Sequence, residues 1–481
     1  MRPEVSERRE PDRAGDIVVR SAEVGGRSPV DLRCIAGRIV EIGAKLKLEP
    51  GTLVLDAAGG AVLPGLHDHH IHLLALAGVV GSVDCGPPRI RRYDELARAL
   101  RGRLGSDWLR GVGYHESVAG ELDRWQLDAI VKHRPLRIQH RSGALWMLNS
   151  AAIERLGLDA GTDAPGVERD PQGRSTGRLF RLDAWLRERT GTSGAVELVP
   201  AVSRRLASYG VTGITDATAD NDASTASLFE RAIEQGDLVQ TVFLMGRREL
   251  TLSAGSAAHP SAVKVILDEP RLPGFDELTR QIAAAHEANR PVAVHCVTRT
   301  ELVFAVEAFR AAGVRSGDRI EHASVAPAEV VASLRELGLI VVTQPGFIRE
   351  RGDSYLVDVE ANDLPWLYRC RGFLDANVAL AAGTDAPFGD PDPWLAMRTA
   401  IDRRTLAGAT VGPAESLSPE QALALFTSAP ELPGVRQRQL AVGAAGDLCV
   451  LARPWRTARE EMTSALVQAT IRRGRIVWRR P

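Results

Sequence analysis

Through the middle of the chain, short apolar runs alternate with stretches in which apolar residues recur every three or four positions. The runs "VTGITDA", "VQTVFLMG", "SAVKVIL", "PVAVHC", "RIEHAS", "LIVVTQP" and "VALAAGTDAP" predict buried strands. The stretches "FDELTRQIAAAHEAN", "ELVFAVEAFRAAG", "PAEVVASLRELG" and "SPEQALALFTSAP" predict helices. Repeated β-α units of this kind make a parallel sheet covered by helices, either a closed barrel or a doubly wound sheet. No Gly-x-Gly-x-x-Gly follows the first strand and no Walker-type loop occurs, so the α/β barrel is the expected fold.

The two ends have a different texture. "DIVVRSAEV", "VDLRCIAGRIVEIG" and "GTLVLDAAGGAVLPG" are Val- and Ile-rich runs broken by Gly and Asp turns, and "AAGDLCVLARP" and "SALVQATIRRGRIVWRR" repeat that texture at the far end. They predict one small β-sandwich built from residues 15–62 and 431–481, after a solvated arm over 1–14. The barrel is expected over 63–430. The segment from about 78 to 190 is too long for one crossover and is expected to hold barrel elements plus an insertion. More candidate strands are present than a barrel needs, which leaves open which are extra.

The stretch "AVLPGLHDHHIHLL" then raises a chemical question, because it sets four histidines within six positions at the end of an apolar run. In extended chain His70 and His72 share a face, and His67 and His69 have the other parity and are expected to brace the turn. Further on, "PVAVHC" carries His295, "RIEHAS" carries His322 and "ALAAGTDAP" carries Asp385, each at the end of an apolar run. Taken singly, each histidine reads as a packed core or cap residue. Taken together at the strand ends, where parallel barrels keep their reactive groups, they read as a divalent metal site, with zinc the ion that imidazole and carboxylate ligands suit. By contrast, His286 lies mid-helix, and His133 and His259 are expected in polar loops. Lys264 sits inside "SAVKVIL", where a lysine must find a partner or lose its proton.

Composition narrows the partners. A formal net charge of −1 across 481 residues leaves no excess of basic charge for nucleic acid or anionic membrane. No segment has the roughly 18 uninterrupted apolar residues a membrane span needs, and the charged start lacks a signal-peptide core. Five cysteines form no C-x-x-C pair, which suits a reducing, cytoplasmic location. The expected partner is a small-molecule substrate, with no nucleic acid and no membrane; a homo-oligomer is compatible with the sequence.

On the motifs "VLPGLHDHHIH", "VAVHC", "RIEHAS", "GTDAPFGDPDPW", "LSPEQALALFT" and "GAAGDLCVL", the chain resembles the amidohydrolase superfamily, within it the branch containing N-substituted formamide deformylase-like enzymes. The resemblance implies a (β/α)8 TIM barrel with a β-sandwich from both termini. It implies His70, His72, His295 and His322 as ligands of one or two Zn2+ ions, Asp385 as a general base touching the metal, and His322 as an aid to the oxyanion. Lys264 matches the position of a lysine that some relatives carboxylate as a metal bridge. The chain departs from the family pattern where Ala144 replaces an expected pocket histidine, where "HCVTRT" puts Thr298 and Arg299 near the mouth, and where Arg181 or a neighbour replaces an expected Glu.

The expected reaction is hydrolysis of a C–N bond in a small amide, formamide or lactam by metal-activated hydroxide. An ester or lactone hydrolase, a decarboxylase on the same barrel, and a non-catalytic scaffold are the competing readings. Tyr114, His115 and His140 are candidate substrate contacts, and Arg141 or Arg299 could hold a substrate carboxylate.

Overall fold

The computed structural model describes residues 16–481 apart from 88, 104, 106, 160–163 and 191–192. The arm expected over 1–14 lies outside the described residues. Two compact units are formed, one from the chain up to Ile71 with Ser203–Asp385 and Gly389–Pro481, the other from His72–Val202 with Ala386–Phe388.

In the larger unit, eight parallel strands follow one another in sheet order: β1 (Leu66–Ile71), β2 (Val211–Asp216), β3 (Thr241–Gly246), β4 (His259–Ile266), β5 (Val292–Cys296), β6 (Arg319–His322), β7 (Ile340–Thr343) and β8 (Leu380–Ala382). β1 and β8 come together where the Asp385 amide donates to the His70 carbonyl at 2.7 Å, so the sheet is a nearly closed barrel. The strands are covered on both faces, by the packed barrel interior and by the helices: every residue of β1, β2, β6 and β7 is buried.

The helices between strands form as their spacing dictates. α1 (Phe275–Glu287) buries Leu278, Ile282 and Ala285, and α2 (Arg299–Ala312) buries Leu302, Ala305, Val306 and Phe309, each a single stripe. Thr298 and Glu301 make a reciprocal capping box that starts α2. α3 (Ala328–Leu337) ends on left-handed Gly338. α4 (Gly346–Asp358) opens directly after β7, α5 (Pro393–Asp402) follows β8, and α6 (Pro419–Thr427) begins on a Ser418/Gln421 capping box.

Strands from both chain ends share one continuous eight-stranded sheet, in which Ala61–Pro64 pairs with Leu448–Leu451. Its inward side chains, among them Ile17, Leu32, Val62, Val450 and Ile471, form one core. The smaller unit holds a six-stranded sheet of Val83–Asp84, Leu109–Tyr114, Leu136–His140, Leu145–Leu148, Val167–Arg169 and Ser175–Phe180. The expectation of barrel strands between 78 and 190 is therefore corrected: all eight barrel strands lie outside that segment. All five cysteines are free and buried.

Candidate metal centre

The barrel strands bring their polar residues to one end. One ligand atom from each of His70, His72 and Asp385 lies within 4.8 Å of the other two. The His70 ring stands 4.8 Å from that of His322, and His295 stands 4.4 Å from His322. Burial pushes His70 down to about 4, His322 to about 3 and His295 well below the ordinary imidazole value. All three are thus neutral at pH 7, the form that binds a metal.

The backbone is bent to make this arrangement. His322, Ala323 and Asp385 have φ of 70°, 46° and 55°, left-handed values that cost non-glycine residues energy and persist where surrounding contacts impose them. Gly383 allows the approach of β8 to β1, since a Cβ there would lie 2.5 Å from the His70 amide nitrogen.

Around the imidazoles sits a buried set of supports that the sequence reading did not single out. Glu321, fully buried, meets His70 Nδ1 with one carboxylate oxygen and lies 2.7 Å from Arg319 Nε with the other. Held so, His70 presents Nε2, which lies 3.5 Å from Asp385 Oδ1. Gln344 Oε1 is 2.6 Å from His322 Nδ1, leaving the other His322 nitrogen for the centre. Asp68 accepts from the Thr384 amide at 3.0 Å and the Thr384 hydroxyl at 2.5 Å, tying β1 to the segment that carries Asp385. Burial raises Asp68 to about 7. Two signals were readable: Asp68 shares the parity of His70 and His72, and Glu321 is a carboxylate inside an apolar run.

The other histidines of the cluster turn away. His67 Nε2 bonds Thr215 Oγ1 on β2 at 2.9 Å, and His69 Nε2 bonds the Ser428 hydroxyl just after α6 at 3.0 Å. They brace the strand against its neighbours rather than the turn. His286 pairs with Asp318 at 2.9 Å. His259 opens β4 with its ring stacked 4.8 Å from Phe243, a correction to the polar loop expected there.

Lys264 lies on the fourth barrel strand, 7% exposed, and its Nζ has no hydrogen-bond partner among the described residues. Burial holds its ammonium below the ordinary lysine value. A buried amine without a partner is costly. The donor set of imidazoles and carboxylate, with this orphaned amine, fits a divalent metal.

The remaining candidates have other partners. Tyr114 packs in the core of the smaller unit and its hydroxyl donates to the Gly120 carbonyl at 2.6 Å. The His115 and His140 rings stack 6.0 Å apart, and His140 Nε2 is 2.9 Å from Glu116. In the same unit, Gly143 packs so tightly on Phe388 that a Cβ would lie 2.5 Å from it, and Phe388 meets the His72 ring edge-on at 5.6 Å. The loop carrying His140 and exposed Arg141 is therefore linked by packing to His72. Arg299 pairs with Asp363 at 3.3 Å.

Comparison with known proteins agrees with this architecture. The chain is 26% identical over 456 residues to the N-substituted formamide deformylase of Arthrobacter pascens, covering 82% of this chain and 84% of that one. It is 23% identical over 433 residues to the protein LONG AFTER FAR-RED 3 of Arabidopsis thaliana, covering 76% and 73%. An uncharacterized metal-dependent hydrolase from Pyrococcus furiosus has the same fold, with a TM-score of 0.72 at 22% identity, covering 91% and 99%. The model of the amidohydrolase family matches residues 53–478, from the terminal sheet through all eight barrel strands and back into that sheet, and on that match the chain belongs to the amidohydrolase family.

Proposed function

We propose that the protein hydrolyses a C–N bond in a small amide, formamide or lactam, with His70, His72, His295, His322 and Asp385 holding a divalent ion. Zinc suits the donor set best. The observation that carries the reading is the grouping of His70, His72 and Asp385 at the barrel's strand ends beside a buried lysine amine. A bound divalent ion supplies Lewis acidity to a carbonyl and acidifies the attacking water.

The chain's own residues do the rest. Asp385 takes the proton from the attacking water as the C–O bond forms, then returns it to the leaving nitrogen as the C–N bond breaks. Burial keeps His70 and His322 neutral, and Glu321 and Gln344 hold their rings aimed. Tyr114, His115, His140, Arg141 and Arg299 stand as candidate substrate contacts, with the His140 loop favoured by its packing through Phe388 to His72. The similarity to a formamide deformylase favours an N-acyl substrate over an ester, lactone or decarboxylation substrate.

The test is turnover of N-substituted formamides and cyclic amides in isotopically labelled water by zinc-loaded protein. Label in the carboxylate product is expected. Release of CO2 without label would assign a lyase instead, and unchanged turnover in Asp385→Asn would remove Asp385 from the mechanism.

A further inference from the structure

A cavity of about 460 Å3 opens in the larger unit at the strand starts, the opposite end of the barrel from His70, His295 and Asp385. Thr241 and His259, the first residues of β3 and β4, line it together with the turn at Gly37 and the turn at Arg473. Its wall carries four guanidinium groups, from Arg38, Arg436, Arg438 and Arg473, against two carboxylates, from Glu431 and Asp447.

Those carboxylates are already engaged. Glu431 pairs with Arg436 at 3.2 Å, and Asp447 accepts the backbone amide of Arg473 at 2.7 Å. Arg438 is spent on the Thr427 and Gly65 carbonyls, and Arg38 gives one nitrogen to the Gly443 carbonyl at 2.8 Å. The Arg473 guanidinium makes no hydrogen bond or ion pair among the described residues. Like charges gathered in one concavity repel unless an anion is shared between them. That repulsion is felt next door, where burial and then Arg473 hold the Arg472 guanidinium below its ordinary value.

One wall is aromatic. The His259 ring stacks on Phe243 at 4.8 Å and 27°, and the His67 ring meets Phe243 edge-on at 5.8 Å. We propose that this cavity is a second ligand site, separate from the metal centre, that takes a small planar molecule bearing two negative charges. The ring of such a ligand lies against Phe243 and His259, and its charged groups meet Arg473 and the open side of Arg38. The volume falls in the range of small-ligand pockets, roughly 300–1,000 Å3.

The probe is benzene-1,3-disulfonate, a planar dianion that does not chelate divalent metals, titrated calorimetrically into the metal-loaded protein beside benzenesulfonate and inorganic phosphate. One saturable site is expected, with the monoanion about tenfold weaker or more. Arg473→Glu and Arg38→Glu, both at exposed positions, each weaken the dianion about tenfold or more with circular dichroism unchanged, while His72→Asn leaves its affinity intact. Tighter binding of phosphate than of the disulfonate would overturn the planar-ligand assignment. Absence of saturation at millimolar dianion, wild-type affinity in both arginine variants, or loss of binding in His72→Asn would overturn the site.

Discussion

Glu321 has no access to solvent and divides its two oxygens between Arg319 and His70. A carboxylate in this position fixes which nitrogen of His70 carries the proton and steadies the ring, so Glu321→Gln should weaken metal affinity by about 10–100-fold. Metal retained by the two proteins against graded chelator measures it. Glu321→Ala should also destabilise the fold, by about 3–5 kcal/mol, because Arg319 is left buried and unpaired. Gly383 offers a second test: in Gly383→Ala the new methyl meets His70 backbone at 2.5 Å, with no flexible side chain to yield. Both the thermal midpoint and metal retention should fall. His70, His72, His295, His322 and Asp385 were legible because metal-binding side chains closing apolar runs are conspicuous. Glu321 showed only as a carboxylate inside an apolar run and Gln344 not at all, since which imidazole nitrogen each meets is a fact of how the closed barrel brings distant strands together rather than of spacing.

Among the elements, α4 carries a titratable device beside the centre. Glu350 lies near Asp390, whose amide it accepts at 2.9 Å, and burial raises it to about 7. A carboxylate whose folded value lies above its unfolded value of about 4.5 stabilises the fold fully below that unfolded value and loses this contribution as pH rises through about 7. Relative to Glu350→Gln, the wild-type thermal midpoint should therefore decline between about pH 5 and 8. Parallel melts of the two proteins across that window check the sign. The same scale explains what the sequence concealed. The seven apolar runs and the run at Leu66 proved to be the eight barrel strands, yet Leu109–Tyr114 and Leu136–His140 also pair in parallel, and which sheet a strand joins is a matter of pairing that periodicity does not carry. Thr298, expected near the mouth, is spent as the cap of α2. Its replacement by alanine should cost about 1 kcal/mol, read from denaturant midpoints.

For the whole molecule, the side chains proposed to hold the ion come from β1, β5, β6 and the segments after β1 and β8, so an ion bound to them favours the folded chain by mass action. Stripping the metal should lower the melting temperature, and adding back zinc should restore it; His72→Asn should remove that response while leaving the stripped protein's midpoint nearly unchanged. The sheet built from both chain ends has a further consequence, in the time the protein takes to be made. One edge of Ala61–Pro64 pairs with Ile17–Val24, made just before it, while the other edge finds its partner in Leu448–Leu451, at the far end of the chain. At about 5–20 residues per second, that edge waits on the order of 20–80 seconds on the ribosome before its partner is made. An unpaired apolar edge left open for so long is a place for chaperones to bind, and ribosome-nascent chains halted before Leu448 should expose it.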